Sequence, residues 1–182
     1  PTVNVVYPAV GSKAQELVLP GNTQAFIDTS IYARTSGYLK QWYADIGAHV
    51  HQSQLLAVIE SPEVDQQLQQ AQADLKTAQA NLKLAQTTNA RWQDLVAKHA
   101  VSVQEAEQTA SNFAAKQAAA AAAEANVRRL QQLQGFEHVT APFDGVITAR
   151  DTDVGSLIDA GSAQPHELFH LDQISRLRIF VA

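Results

Sequence analysis

Six histidines are the side chains of this sequence best suited to bind a metal ion. The candidate pairs are His49 with His51, whose spacing can place both on one face of a strand, and His166 with His170. A zinc site needs a third and a fourth ligand, and the sequence indicates none. Cysteine and methionine are absent, which excludes thiolate sites and the soft ligands that copper and silver prefer. We therefore predict no metal site and no cofactor.

The sequence also lacks the motifs of common catalytic sites. It contains no G-x-S-x-G, no phosphate-binding glycine loop and no H-E-x-x-H, and its carboxylates are scattered rather than paired. We predict that the protein is not an enzyme. Thirteen basic and eighteen acidic residues give a net charge of −5, so there is no basic field to attract a polyphosphate, and we predict no nucleic-acid partner.

A long central block differs in composition from both flanks. All eight glycines and all six prolines lie outside residues 63–134. Because glycine and proline are the main helix breakers, this block is predicted to be helical from Pro62 to about Gln134. Ser61 is predicted as its N-cap, and Gly135 is predicted to end it.

Heptad spacing predicts that the block folds back on itself as a coiled coil. A first apolar seam alternates steps of four and three residues: Val64, Leu68, Ala71, Leu75, Ala78, Leu82, Ala85, Asn89, Trp92 and Val96. A second stripe contains Val103, Ala106, Ala110, Phe113, Val127 and Leu130, and its register is not assigned through the alanine run 118–123. Between them, Ser102 and Glu105 have the spacing of a capping box, so two antiparallel helices of about 50 Å are expected.

The two flanks repeat each other at one constant offset along the chain. Residues 33–39 correspond to 141–147, and residues 45–50 correspond to 153–158. Each copy has glycines ten residues apart, so we predict two equivalent β-units with equivalent glycine turns. Each copy continues into an apolar strand, at 55–59 and 168–171, and the preceding loop is about five residues longer in the second copy.

These motifs resemble a known family: the periplasmic adaptor subunits, or membrane fusion proteins, of tripartite efflux pumps. The paired motifs at Gly37–Gly47 and Gly145–Gly155 are similar to the two halves of a biotinyl/lipoyl-like β-sandwich. The resemblance implies an α+β fold in which an antiparallel helical hairpin is inserted into this split sandwich, with partial β-barrel strands at both termini. It covers roughly residues 20–182.

The resemblance also implies a division of the chain into segments. Residues 1–26 are expected to contribute to the barrel and membrane-proximal part, 27–61 and 135–173 to be the halves of the sandwich, 62–134 the hairpin, and 174–182 the start of the barrel. Alternating apolar residues at Leu177, Ile179 and Val181 independently predict a strand, whose hydrogen-bonding edge we expect to be unpaired because the sequence stops inside it. Thr2–Tyr7 is a candidate further strand. We interpret the chain as a fragment, associated with the inner membrane through missing parts.

The hairpin tip carries the candidate site. Adaptors that serve transporters of the resistance-nodulation-division (RND) class have an Arg, Leu and Ser at the tip, and Arg91, Leu95 and Ser102 match this pattern. The resemblance implies that these three residues dock on an outer-membrane channel of the TolC type. It further implies a periplasmic location, an inner-membrane RND transporter as partner, and self-association as a hexameric ring.

Less specific roles remain open for each tip residue. Ser102 is also explained as an N-cap, Leu95 as a residue that packs against the connection, and Arg91 as the partner of Asp94 in a surface ion pair. The alternatives for the whole chain are an adaptor of an ABC-type exporter and a generic coiled-coil interaction module. A lipoyl or biotinyl carrier is disfavoured because the helices replace the turn that would present a modifiable lysine, and the nearest lysine, Lys40, lies within the first repeat.

Overall fold

The structure is a computed structural model that describes residues 1–7, 18–162 and 166–181. Parts of the predicted 1–26, 135–173 and 174–182 segments therefore lie outside the described residues. Within these residues, eight strands and two helices follow one another: β1 (Gly21–Tyr32), β2 (Gly37–Trp42), β3 (His49–Val50), β4 (Leu55–Glu60), α1 (Pro62–Ala97), α2 (Val103–Gly135), β5 (His138–Thr140), β6 (Gly145–Arg150), β7 (Leu157–Ile158) and β8 (Glu167–Val181).

The strands form two four-stranded sheets with the orders β1-β8-β6-β3 and β5-β4-β2-β7. Each sheet takes two strands from before the hairpin and two from after it. One apolar core joins both halves, and its most deeply buried members include Leu39, Leu56, Ile147, Leu168 and Phe169. Because both four-stranded sheets and the core combine strands from the two halves, the predicted split sandwich is confirmed as a single folded body.

The sequence repeat is reproduced in the strand pairing. Gly37 pairs with Ile158, and the equivalent residues Gly145 and Val50 also pair. The Gly47 N–H donates to the carbonyl of Ile147 at 2.7 Å, while the Gly155 N–H donates to that of Leu39 at 2.8 Å. In each of these two pairs of contacts, the second contact joins the residues that correspond, in the sequence repeat, to the residues of the first contact. A pseudo-twofold axis therefore relates the halves.

The repeated glycines have two different roles, whereas the sequence predicted turns for all of them. Gly47 and Gly155 lie in equivalent turns with φ of +84° and +87°, a conformation that side chains disfavour. Gly37 and Gly145 instead begin strands, where an added Cβ would lie 2.4 Å from the carbonyl oxygen of Glu60 and 2.5 Å from that of Asp172. The first glycine of each copy is therefore required by close strand approach.

The loop before the second apolar strand is four residues longer than in the first copy, close to the predicted difference of about five. Leu39 pairs with Ile59 and Ile147 pairs with Leu171, and a register shift follows in both ladders. Ile59 and Leu171 are thus equivalent in the fold. Their separation in the sequence exceeds the constant offset of the glycine motifs by the four extra loop residues.

The central block forms the predicted antiparallel hairpin. All ten residues of the first seam are buried or half-buried, as the heptad pattern predicted. The second stripe is confirmed except at Val103, the first residue of α2, which is 63% exposed. Within the alanine run, Ala120 is buried and Ala123 half-buried, so these two alanines continue the seam.

Both ends of the block differ in detail from the prediction. Ser61 precedes α1, but its hydroxyl donates to the carbonyl of Ser36 at 2.6 Å and makes no cap hydrogen bond. Its own carbonyl accepts from the N–H groups of Val64 and Asp65 instead. At the other end, α2 runs to Gly135, and Phe136 follows in the right-handed conformation.

The ends of β1 and β8 form a two-stranded ribbon beyond the sandwich. Residues 21–25 pair with residues 177–181, so one edge of the predicted terminal strand is paired, contrary to the expectation of an unpaired edge. Ile179 and Phe180 remain 69% and 54% exposed. Residues 1–7 form no strand, because no described strand edge pairs with them.

Candidate functional site

The hairpin tip is a tight connection closed by backbone hydrogen bonds. The Ala100 N–H donates to the carbonyl of Leu95 at 2.9 Å, and the His99 N–H donates to that of Val96 at 2.9 Å. This is the Schellman arrangement, which places its turning residue in the left-handed region, and His99 has φ of +56° there. The connection is therefore a defined turn that fixes the ends of both helices.

Ser102 begins α2 with a complete capping box. Its hydroxyl accepts from the Glu105 N–H at 3.3 Å, and the Glu105 carboxylate accepts from the Ser102 N–H at 3.2 Å. The hydroxyl also donates to that carboxylate at 2.9 Å. The local sequence pattern was sufficient to predict this cap. Ser102 thus holds the start of α2 in place, and its side chain is exposed at the tip.

Arg91 and Leu95 lie one helical turn apart near the end of α1. Arg91 is exposed, and within the described residues its guanidinium makes no ion pair or hydrogen bond, so the ion pair considered with Asp94 is not formed. Leu95 is half-buried beside the seam. The tip therefore presents a free cation next to a partly exposed apolar side chain, with Ser102 across the connection.

A buried carboxylate lies where the hairpin joins the sandwich. Glu137 is 8% exposed, and its Oε1 has no hydrogen-bond partner among the described residues. Burial raises the pKa of the Glu137 carboxyl, and the nearby carboxylates of Asp65 and Glu60 raise it further. Asp65 accepts a hydrogen bond from the amide of Gln134 at 2.7 Å, which ties the first turn of α1 to the last turn of α2.

A second polar cluster surrounds His170 on the β1–β8 ladder. Glu167 lies 2.7 Å from its Nδ1, while Asp28 is hydrogen-bonded to its Nε2. The Oδ1 of Asp172 lies 3.8 Å from the same Nε2. The hydrogen bond with Glu167, followed by that with Asp28, raises the pKa of His170.

The other candidate histidines do not assemble a comparable group in the described part of the chain. His51 lies 3.6 Å from Asp144 at the surface, and His166 contacts the carbonyl of Asp151. His49 joins no group of three possible ligands. Sequence reasoning singled out His170 but missed Asp28, which is distant in the chain and meets it only through strand pairing.

Comparison with known proteins identifies the family. Residues 28–168 match the family described as the RND membrane fusion protein barrel-sandwich hybrid domain. The chain is 31% identical over 165 residues to the multidrug resistance protein MdtA of Proteus mirabilis, covering 91% of this chain and 40% of that protein. It is 29% identical over 198 residues to the macrolide export protein MacA of Escherichia coli O157:H7, covering 97% and 52%. The chain thus spans about half the length of these relatives or less.

A solved structure with the same fold is the membrane fusion protein Spr0693 of Streptococcus pneumoniae R6. The TM-score is 0.69 with 16% identity, over 90% of this chain and 67% of that one. At this identity the likeness concerns the fold alone. Within the described residues, neither helix combines the length and apolarity needed to cross a membrane.

Proposed function

The chain belongs to the RND membrane fusion protein family through its barrel-sandwich hybrid domain, and from this premise we propose that it is the central part of a periplasmic adaptor in an efflux pump. In this proposal the full-length protein bridges an inner-membrane RND transporter and an outer-membrane channel of the TolC type. The printed functions of the relatives, multidrug resistance and macrolide export, support a role in export.

The observation that carries the proposal is the insertion of a long helical hairpin at one point of the sandwich. Helix α1 leaves the sandwich after β4 and α2 returns to it before β5, and the backbone hydrogen bond from the Ile59 N–H to the Glu137 carbonyl, 2.8 Å, joins the two strands at that point. An α1 of 36 residues extends about 54 Å from it. The sandwich thus presents a distant tip, which suits contact with a second protein and requires no bond chemistry.

The tip residues supply complementary means of docking. Arg91 has unpaired guanidinium donors that can bind carbonyl or carboxylate oxygens of the channel, and Leu95 can bury the remainder of its side chain against the partner. Ser102 fixes the start of α2, so that the two helix ends form one surface. Docking by Arg91, Leu95 and Ser102 closes a conduit between the two membranes.

Self-association extends the contact to a ring. Four alanines on the outer side of α2, Ala118, Ala119, Ala121 and Ala122, are exposed and allow the backbone of a neighbouring hairpin to approach closely. We place the assembled protein in the periplasm as a hexamer, with its inner-membrane association provided by parts of the protein beyond this chain.

Charge reversal at the tip tests docking. In bacteria whose drug resistance depends on the full-length protein, Arg91→Asp is expected to abolish resistance and copurification of the channel, because it places a carboxylate where the channel meets a cation. Lys83→Asp is the matched control, since it makes the same charge change at an exposed position two turns back along α1. Helix content, measured by circular dichroism, should be unchanged in both variants.

The opposite pattern would refute tip docking. If Arg91→Asp retains full resistance, or if Lys83→Asp loses resistance to the same extent, the channel does not bind specifically at the hairpin tip. The transporter class is tested separately by identifying the inner-membrane protein that copurifies with the full-length adaptor. Recovery of an ABC-type exporter would replace the RND partner and leave the docking site intact.

A further inference from the structure

Backbone register places the His170 cluster on one face of a rigid ladder. Asp28 pairs directly with Asp172, and Ser30 pairs with His170, so these four side chains form a two-by-two block. Residues two apart on a strand share a face, which aligns Asp28 with Ser30 and His170 with Asp172. Like charges directly opposite each other destabilise a strand pair, so a positive charge between Asp28 and Asp172 stabilises this arrangement.

The imidazole of His170 has a carboxylate at each of its nitrogens. Glu167 lies 2.7 Å from Nδ1, and the carboxylates of Asp28 and Asp172 both face Nε2. A neutral imidazole carries only one N–H. A protonated His170 donates to carboxylates at both nitrogens, whereas a neutral imidazole that donates to Glu167 offers the lone pair of Nε2 on the side of Asp28 and Asp172, where a metal ion can bind.

One carboxylate oxygen of the cluster has no hydrogen-bond partner in the described part of the chain. The Oδ1 of Asp172 is fully buried and accepts no hydrogen bond from any described residue. Its separation of 3.8 Å from Nε2 is too long for a hydrogen bond, yet two ligands of one zinc ion, each about 2.0–2.2 Å from the metal, can be about 3.3–4.3 Å apart. Asp28 lies closer to Nε2 than that, so zinc binding requires its side chain, which is 65% exposed, to shift outward.

We propose that His170, Asp28 and Asp172 bind one Zn²⁺ ion, with Glu167 as the partner that orients the imidazole. The three ligand atoms lie within 4.8 Å of one another. One imidazole with two carboxylates is a donor set that zinc accepts, and a carboxylate at the distal nitrogen is the usual support of a zinc-bound histidine. The ion would join β1 to β8 where the ribbon leaves the sandwich. This site is independent of docking at the hairpin tip.

Equilibrium dialysis of the whole 182-residue protein against Zn²⁺ tests the site. We expect one ion per chain, and Asp172→Asn should weaken binding at least tenfold, because it removes a ligand charge while keeping the side-chain shape. The control His51→Gln should bind Zn²⁺ like the unmodified protein, since His51 is an exposed histidine outside the cluster. Asp28→Asn, at an exposed position, repeats the test if Asp172→Asn does not fold.

The ¹⁵N resonances of His170 provide a readout that no structural role would reproduce. Zinc binding is expected to shift Nε2 to the metal-bound range while Nδ1 remains protonated. The proposal is overturned if no saturable binding occurs, or if binding survives Asp172→Asn and is lost in His51→Gln. The proposal is also overturned if Nε2 keeps its proton at saturating Zn²⁺, because a protonated His170 would then supply the positive charge between the carboxylates.

Discussion

Glu137 is the residue whose environment opposes its charge most clearly. It is buried beneath the base of the hairpin, near two other carboxylates, and these surroundings raise its pKa above the ordinary value of 4.5. The folded state therefore holds this proton more tightly than the unfolded state does. The free energy of unfolding consequently falls as the pH rises from about 4.5 through the higher folded pKa.

Glu137→Gln is accordingly expected to stabilise the protein at neutral pH, because it removes a charge that burial disfavours and keeps the side-chain shape. Denaturant unfolding at about pH 7 should give a higher midpoint for the variant, and the gain should largely disappear near pH 4, where most of the wild-type carboxyl is protonated in both states. Glu107→Gln, the same change at an exposed position on α2, should show no such difference. A gain that is equal at both pH values would contradict the assignment.

For single residues, the sequence predicts contacts between neighbours in the chain but does not predict contacts that form only when distant strands pair. The Ser102 capping box was predictable because both partners lie within one turn of helix. The Asp28–His170 contact was not, since it depends on the register of β1 against β8. Ser61 shows a third case, because its position was predicted but its hydroxyl bonds to Ser36, which only the folded sandwich brings near.

Among the elements, the hairpin is held together mainly at its base. Leu68, Ala71, Val127 and Leu130 form a buried cluster there, with Leu75 and Leu133 packed against it. Toward the tip the seam residues are smaller or only half-buried. We infer that the base determines helix pairing and that the tip is held by its turn and caps.

Leu130→Ala should therefore destabilise the hairpin strongly, by about 3 kcal/mol, because Leu130 is 2% exposed and its loss leaves a cavity between the helices. Chemical denaturation followed by helical circular dichroism measures this change. Leu84→Ala is the matched control on the opposite helix, since Leu84 is 68% exposed, and it should change stability by less than about 0.5 kcal/mol. Equal effects of the two substitutions would disprove the proposed seam.

The buried faces of the helices were predicted correctly where the heptad pattern was long, and incorrectly or not at all where the pattern ended or was interrupted. The sustained seam determined the buried face of α1, because a repeat of about 3.5 residues is compatible with one face only. Val103 fitted the apolar pattern but is exposed, and the run of alanines 118–123 has no pattern that assigns a buried face. The glycine repeat revealed equivalent β-units, yet it could not distinguish a turn at Gly47 from a close approach at Gly37.

For the whole molecule, the interleaved sheets imply that the sandwich is independent of the hairpin inserted in it. Strand β4 pairs with β5, with Val58 opposite His138, so the chain enters and leaves the hairpin at adjacent points. Replacing residues 62–135 by an Asn-Gly turn is expected to leave a sandwich that unfolds cooperatively, because such turns join neighbouring antiparallel strands. Loss of a cooperative transition, or separate unfolding of the two halves, would contradict this organisation.

The constant offset between the two glycine motifs made the two-part architecture predictable, since equivalent residues must occupy equivalent places in one sandwich. The segment boundaries remain predictions. One of them, between residues 26 and 27, falls inside the continuous strand β1, at a register shift against β8. A boundary inside a strand leaves no change of composition, so only the family resemblance suggested it.

The central claim is that the hairpin tip contacts an outer-membrane channel, and site-specific photocrosslinking in living cells tests it most directly. A photoreactive amino acid is introduced at position 91, or at position 83 as the control, in the full-length protein. We predict a crosslink to an outer-membrane channel from position 91 and no such crosslink from position 83. A channel crosslink from position 83 alone, or none from position 91 in cells that export drug, would contradict the account.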